Sequence, residues 1–309
     1  MKNIVINGAS GDLGRGVTRL LLREVPHASL RLVTRTPQKL KAELPNDIKV
    51  FEGEFDKPDL LEKAYAGCDV LLLISGTAIE HRVPQHRNAI NAAKKAGIKH
   101  IVYTSFVGIH PQNPNLAERD HIVTERDLLA SGLKYTIVRD AVYADWVYRL
   151  SIEPALRTGT WLSIKGQGRL APVAKEDVVR SVAKILTNPE FHANAIYEIS
   201  GPDLFTFRQI AELASEVFNT PLDIKELTPE ERLAEWDKLG VPRETTGEAN
   251  HPDALWCGSG ELVSGETAIA QMGYQGVLSD HVRFITGRKP RPFRSVLEEI
   301  ARERNAEKK

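Results

Sequence analysis

NGASGDLGRG, residues 7–16, carries Gly8, Gly11 and Gly14 in a GxxGxxG frame after only six residues of chain. Glycine permits a tight turn and lets a charged ligand approach the backbone with no Cβ in the way. The stretch follows a short apolar run, IVI (4–6), and opens an amphipathic segment, GRGVTRLLLREV (14–25), so it sits between a strand and a helix. Amides at that helix start, around Gly11 to Leu13, donate to a pyrophosphate, helped by the positive end of the helix dipole. In this position the glycines read as the phosphate loop of a dinucleotide site, with Gly8, Gly11 and Gly14 as candidate cofactor contacts.

Outward from the loop, further runs suited to buried parallel strands recur at LRLV (30–33), IKVF (48–51), DVLLLI (69–74), HIVYTS (100–105) and YTIV (135–138). Between them PDLLEKAYAG (58–67), PQHRNAINAAKKAG (84–97) and AERDHIVTERDLLASG (117–132) carry apolar residues at helical spacing and end at a glycine. Strand and helix alternate from residue 3 to 138, which predicts an α/β fold with a doubly wound parallel sheet. After Val138 the rhythm changes, with aromatic residues in YADWVY (143–148) and loops rich in Gly and Pro. KEDVVRSVAKILTN (175–188) and AIYEIS (195–200) read as a return to the main sheet. The segment from about 202 to 286 reads as mostly helical, with Thr206 capping TFRQIAELASEVF, and ARERNAEKK (301–309) as a frayed helix end. The predicted organisation is a dinucleotide domain, 1–140 and about 172–201, and a smaller, mostly helical substrate domain, about 141–171 and 202–309.

Cofactor choice is read at the end of the second strand. An NAD site places Asp or Glu there, about 20 residues beyond the loop, to hold the ribose 2′-hydroxyl. Here Thr34-Arg35-Thr36 stands in that place with Lys39 one turn on, so an acid is replaced by bases. Arg35 suits a 2′-phosphate, and NADPH is expected over a weaker NADH; a solvated arginine at a strand end is the other reading. Beyond the carboxyl ends of the next strands, Phe55 would flank the adenine, and Ile74, Ser75 and Gly76 would meet the ribose or pyrophosphate. Thr104 and Ser105, closing the fifth strand, lie on the same rim.

None of the seven tyrosines has Lys four residues on, so the proton donor common in reductases of this architecture is missing. His121 in RDHIVTE either donates a proton or bonds the cofactor, or is a plain surface histidine in the first turns of its helix. With no strong acid, substrates that accept hydride readily, quinones or conjugated dyes, fit best. Tyr143, Trp146, Tyr148 and Trp161 are candidates for a flat aromatic slot, or for ordinary core.

Lys plus Arg, 41, balances Asp plus Glu, 41, leaving no electrostatic footprint for nucleic acid or an anionic membrane. Cys68 and Cys257 form no CxxC frame, which argues against zinc and disulfides. The longest apolar run, VLLLI (70–74), is far too short for a membrane span. A cytoplasmic protein, monomeric or homodimeric and without a metal, is expected.

The chain resembles the NmrA-like, atypical short-chain dehydrogenase/reductase family, close to its bacterial quinone and triphenylmethane reductases. The resemblance is carried by GASGDLG, VTRTPQKL, LLLISGTAIEHRVPQHRNAINAAKKAGIKHIVYTS and DHIVTERDLLASGLKYTIVRDAVY. It implies a Rossmann domain with a small C-terminal substrate domain, use of NADPH, and reduction of a small quinone-like or dye-like acceptor. It also places Ser10, Gly11, Asp12 and Leu13 on the pyrophosphate, and Arg35 on the 2′-phosphate. Ser75, Arg82 and Gln85 fall near the ribose and nicotinamide, with Tyr143 beside the nicotinamide; His121 and Tyr143 are the candidate catalytic residues. Asp12 departs from what a phosphate loop favours unless its carboxylate points to solvent. Arg139-Asp140-Ala141-Val142 departs from the Arg-Asn-Gly that such relatives tend to carry. Some members of the family bind dinucleotide without turnover and act as redox-sensing regulators, which is the alternative function.

Overall fold

In a computed structural model of the chain, residues 2–79, 81–245 and 251–307 are described. Seven strands form one parallel sheet: β1 (Ile4–Asn7), β2 (Leu30–Thr34), β3 (Lys49–Glu52), β4 (Val70–Leu73), β5 (His100–Phe106), β6 (Lys134–Asp140) and β8 (Ala195–Ile199). A short strand β7 (Thr160–Ile164) lies elsewhere, and the sheet order is β3-β2-β1-β4-β5-β6-β8. The order reverses between β1 and β4, so the crevice for a ligand opens beyond their carboxyl ends. Every residue of β1 and of β4 is buried, because helices cover both faces and leave no solvent side to a strand.

One layer of helices comprises α1 (Asp12–Leu21) and α8 (Lys175–Thr187), which pack together so closely that a Cβ on Gly16 would stand 2.7 Å from Val179 Cγ2. With Leu13, Val17, Leu21, Val178 and Val182 they bury one face of the sheet. On the other face α3 (Pro58–Tyr65), α4 (Arg82–Lys95) and α5 (Leu116–Ala130) cover Val5, Leu71, Leu73, Ile101 and Tyr103. A single helical turn, α2 (Pro37–Lys41), links β2 to β3.

Beyond β6 the chain forms α6 (Ala144–Val147), a π-helical turn, α7 (Glu153–Thr158) and β7. After β8 come α9 (Phe207–Val217), β9 (Asp223–Leu227), α10 (Pro229–Lys238), α11 (Ser259–Ala270), α12 (His281–Thr286) and α13 (Phe293–Glu307). Thr206 caps α9 as predicted, in a reciprocal pair of bonds with Gln209. The region is not wholly helical: β7 and β9 pair in parallel from Thr160↔Asp223 to Ile164↔Leu227 as a separate two-stranded sheet. Trp161, Ile210, Leu213, Phe293 and Leu297 share a further apolar cluster there. The segment 301–307 continues α13, and its last two residues, 308 and 309, lie outside the described residues. Helix α12 turns back to the main sheet, where Val282 joins the core under α8 and β8.

Candidate functional site

The glycine turn sits at the crest of β1. Gly8 has φ +79°, in the left-handed region, and its carbonyl accepts from Gly11 N at 3.1 Å. Helix α1 starts with Gly11 as its N-cap, and no side chain accepts from the first amides. Orphan donors at the positive end of a helix dipole, beside the exposed Gly11 and Asp12, fit a pyrophosphate. Ser10 Oγ accepts from Thr34 Oγ1 at 2.9 Å, which ties the turn to the end of β2. The Asp12 carboxylate is 77% exposed and lies 3.3 Å from Lys175 Nζ. The acid in the loop is thus turned outward, and Lys175, which also pairs with Asp145 at 2.5 Å, offsets part of its charge.

Arg35 and Lys39 are exposed immediately beyond β2. Lys57 first, and Arg35 more weakly, hold the Glu54 carboxyl below its ordinary range, which puts Arg35 on the same rim as the end of β3. Phe55 meets the His86 ring edge-on at 5.7 Å, and its carbonyl accepts from Asn88 Nδ2 at 3.0 Å. An exposed guanidinium with no acid at the end of β2 fits a 2′-phosphate.

The half-buried turn Ile74-Ser75-Gly76 is held by its amides. Ser75 N donates to Thr104 Oγ1 at 3.0 Å and Gly76 N to His86 Nε2 at 3.1 Å. Accepting at Nε2 puts the His86 proton on Nδ1, which donates to Thr124 Oγ1 at 2.9 Å, and Thr124 donates in turn to the Asp120 carbonyl. Burial pushes the His86 ring down to about 3, so it stays neutral. Arg82 is buried, and its guanidinium bonds the Gly76 carbonyl at 3.1 Å, the Ala117 carbonyl and Asp120 Oδ2 at 3.0 Å. It therefore braces the turn from behind, while Gln85 bonds Asp56 Oδ2 at 2.8 Å at the rim.

Three expectations need correction. Ser105 faces away from the crevice: alternation along β5 sends it toward α5, where Oγ donates to Glu125 Oε1 at 2.6 Å beside Arg139. His121 is neither a surface histidine nor a ready proton donor, being 4% exposed with Nδ1 2.7 Å from the Tyr103 hydroxyl and Phe106 stacked on its ring. Burial, then the Arg82 charge, hold it well below its ordinary range, so it is neutral at physiological pH. Of the aromatic slot, Trp161 is fully buried and Tyr148 stacks on Phe218 as core. Tyr143 and Trp146 remain half-buried and meet edge-on at 6.3 Å, and the next ring is Trp256, 5.2 Å from Trp146.

Reasoning from sequence missed Lys175 and Trp256, and marked Asp140 as a departure from the relatives' pattern without giving it a role. Lys175 Nζ lies 5.9 Å over the Tyr143 ring while reaching Asp12, which links the aromatic group to the phosphate loop. Asp140, the last residue of β6, accepts from the Tyr143 hydroxyl at 2.7 Å. The signals for it were that departure and an acid at the end of a strand buried on both faces. Among the described residues no group of three or more His, Cys, Asp or Glu side chains could hold a metal, and no helix is long and apolar enough to cross a membrane.

A doubly wound parallel sheet with an uncapped glycine turn at its switch point defines a dinucleotide-binding protein of Rossmann type. The chain matches the NAD(P)H-binding family over residues 8–189, more than half its length, and belongs to that family. It is 32% identical over 239 residues to quinone oxidoreductase 2 of Escherichia coli strain K12, covering 77% of this chain and 82% of that protein. The crystal structure of the NADPH-dependent quinone oxidoreductase from Escherichia coli complexed with NADPH superposes with a TM-score of 0.85 at 28% identity, covering 96% of this chain and 99% of that one. The NADP(H) complex of Citrobacter sp. triphenylmethane reductase gives a TM-score of 0.81 at 25% identity, covering 96% and 99%.

Proposed function

We propose that the protein is an NADPH-dependent reductase that passes hydride to a small conjugated acceptor, a quinone or dye-like molecule. The observation that carries the proposal is the pairing of an uncapped α1 N-terminus with an exposed Arg35 where an acid would stand in an NAD site. Likeness to the Escherichia coli quinone oxidoreductase and to the Citrobacter enzyme supports it. Gly8, Ser10, Gly11, Asp12, Leu13 and Gly14 would lie along the pyrophosphate, and Arg35 with Lys39 on the 2′-phosphate. Phe55 would flank the adenine, and Ile74, Ser75, Gly76, Thr104 and Gln85 would border the ribose and nicotinamide. Bound there, NADPH supplies hydride from nicotinamide C4.

The protein's own contribution is placement. Arg82 and His86 fix both polar groups of Gly76, so the floor of the crevice is set before a ligand arrives. Tyr143, Trp146 and Trp256 offer flat apolar area for a conjugated ring. We assign the acceptor to the unit formed by about 141–171 and 202–309, and a cytoplasmic monomer or homodimer is the form we expect. Calorimetry with NADPH and NADH, followed by NADPH oxidation against a panel of quinones and dyes, tests the reading. Binding of NADPH with turnover of at least one acceptor is the expected result; tight binding with no turnover on any of them would favour a redox-sensing regulator instead.

A further inference from the structure

Asp140 is a buried acid with no ion pair among the described residues. It is 2% exposed at the end of β6, between Phe106 of β5 and Ile199 of β8, and its neighbours Val107, Ala141 and Val173 belong to the apolar core. The adjacent Arg139 is committed to Glu125 and Glu198, so it does not neutralise Asp140. Asp140 Oδ2 accepts from the Tyr143 hydroxyl at 2.7 Å, and Oδ1 is buried with no hydrogen-bond partner among the described residues. An ionised carboxylate with one satisfied oxygen in such a place is costly, whereas the protonated acid is tolerated. Burial pushes the Asp140 carboxyl up to about 8, and burial together with Asp140 pushes the Tyr143 phenol well above its ordinary range.

Tyr143 is placed to connect that acid to the crevice. Its backbone is pinned by Ala144 N donating to the Val173 carbonyl at 2.8 Å and Val173 N to the Val142 carbonyl at 2.9 Å. Its ring is half-buried, edge-on to Trp146 and beneath Lys175, the side chain that reaches the phosphate loop. When Asp140 is protonated, its hydrogen bond with Tyr143 runs in either direction: the acid donates to Oη, and the phenolic proton is free to point into the crevice.

We propose that Asp140 is the proton reservoir of this site and Tyr143 its outlet. Once the acceptor has taken hydride, the Tyr143 O–H bond breaks and an O–H or N–H bond forms on the electron-rich atom of the acceptor. The Asp140 O–H bond breaks as the phenol is restored, leaving Asp140 as the carboxylate until water reprotonates it between turnovers. The two electrons come from the nicotinamide donor and the proton from the protein. Asp140 is a positioning and storage residue that acts through Tyr143, and the step rests on the reductase reading above.

Charged groups among the described residues face this pair from three elements. Asp145, on the same segment, and Lys175 of α8 lie beyond the phenol, and Glu118 of α5 approaches through Gln275, which donates to the Val107 carbonyl. Glu118 is also a buried acid, pushed up to about 9, so a test must separate the two.

Infrared difference spectra of the protein, with and without NADPH, taken between about pH 6 and about pH 10, bracket the range in which a buried acid of this kind titrates. A carbonyl band from a protonated carboxylic acid should fade near the Asp140 value, persist in Glu118→Gln and be missing in Asp140→Asn. Tyr143→Phe should lower kcat by about 100-fold, and Asp140→Asn by about tenfold with loss of the alkaline limb of its pH profile. NADPH affinity by calorimetry should be unchanged in both variants. Turnover by wild type with no such band, or Asp140→Asn with an unaltered pH profile, overturns the proposal alone. A band with no turnover of any acceptor overturns it through failure of the reductase reading.

Discussion

Gly14 lies against Gly8 so closely that a Cβ built on it would stand 2.4 Å from the Gly8 carbonyl oxygen and 2.8 Å from Ala9 Cα. The contact is backbone on both sides, so no side chain can swing aside to make room. Gly11, in contrast, has ordinary space, with the same oxygen 3.5 Å away, and its φ of −76° suits any residue. Gly14→Ala should therefore cost about 1–3 kcal/mol and weaken NADPH binding by splaying the turn. Gly11→Ala should cost under about 1 kcal/mol, since it only exchanges a good N-cap for a poor one. Thermal unfolding and calorimetry on the two variants check the ranking, and equal losses would show that close packing does not set the loop.

Arg35 should govern cofactor choice. Arg35→Glu puts a carboxylate where a 2′-phosphate would lie, so the apparent NADPH constant should rise by more than about tenfold while NADH changes little. Equal losses for the two nucleotides would remove Arg35 from the phosphate.

The sheet was legible for a physical reason that also limits the reading. β1 and β4 are covered on both faces and appear in the sequence as the unbroken apolar runs IVI and VLLL, and β5, equally buried, as a short run led by Ile101 and Val102. β9 is not, since Asp223, Lys225 and Glu226 are exposed and its partner β7 comes from a distant part of the chain. The local candidates, the glycines and Arg35, were legible because their reading depends only on position after a strand. The roles of Lys175 and Trp256 were invisible, and Asp140 stood out as a departure without a role, because tertiary packing alone brings α8, the end of β6 and the segment before α11 to Tyr143. Trp161 misled for the same reason, being an aromatic of the right type carried into the core on β7.

Ser105 provides a test of that face assignment. Its hydroxyl serves Glu125, which Arg139 also grips at 2.9 and 2.7 Å. Ser105→Ala should cost about 1 kcal/mol of stability and leave the NADPH dissociation constant unchanged. A clear loss of affinity without a change in melting temperature would return Ser105 to the cofactor.

The raised Asp140 carboxyl has a stability consequence with a definite sign. In the unfolded chain the group ionises above its ordinary value of 3.8, whereas in the folded protein it holds its proton up to about 8. The folded state thus binds the extra proton between those values, and stability is lost as pH rises through that window, levelling above it. Asp140→Asn has no proton to lose. Its melting temperature relative to wild type should climb from about pH 4 to about pH 8 and then stay constant, and a gap independent of pH would show that Asp140 is ionised in the folded protein.

Lys175 should matter to the nucleotide through Asp12 rather than by itself. Its Nζ stands between Asp145 at 2.5 Å and Asp12 at 3.3 Å, and the Asp12 carboxylate occupies the first turn of α1, beside the amides that fit a pyrophosphate. Removing the cation leaves that carboxylate uncompensated against an anionic ligand, although its exposure to water limits the penalty to about 1 kcal/mol, or about fivefold in affinity. Lys175→Ala should weaken NADPH binding by that factor, more at low salt than at high salt, because exposed charges are screened. Asp12→Asn in the same chain should restore most of the loss. A double-mutant cycle measured by calorimetry separates this from a direct bond between Lys175 and the phosphates, since a direct bond would leave the deficit in place after Asp12 is neutralised.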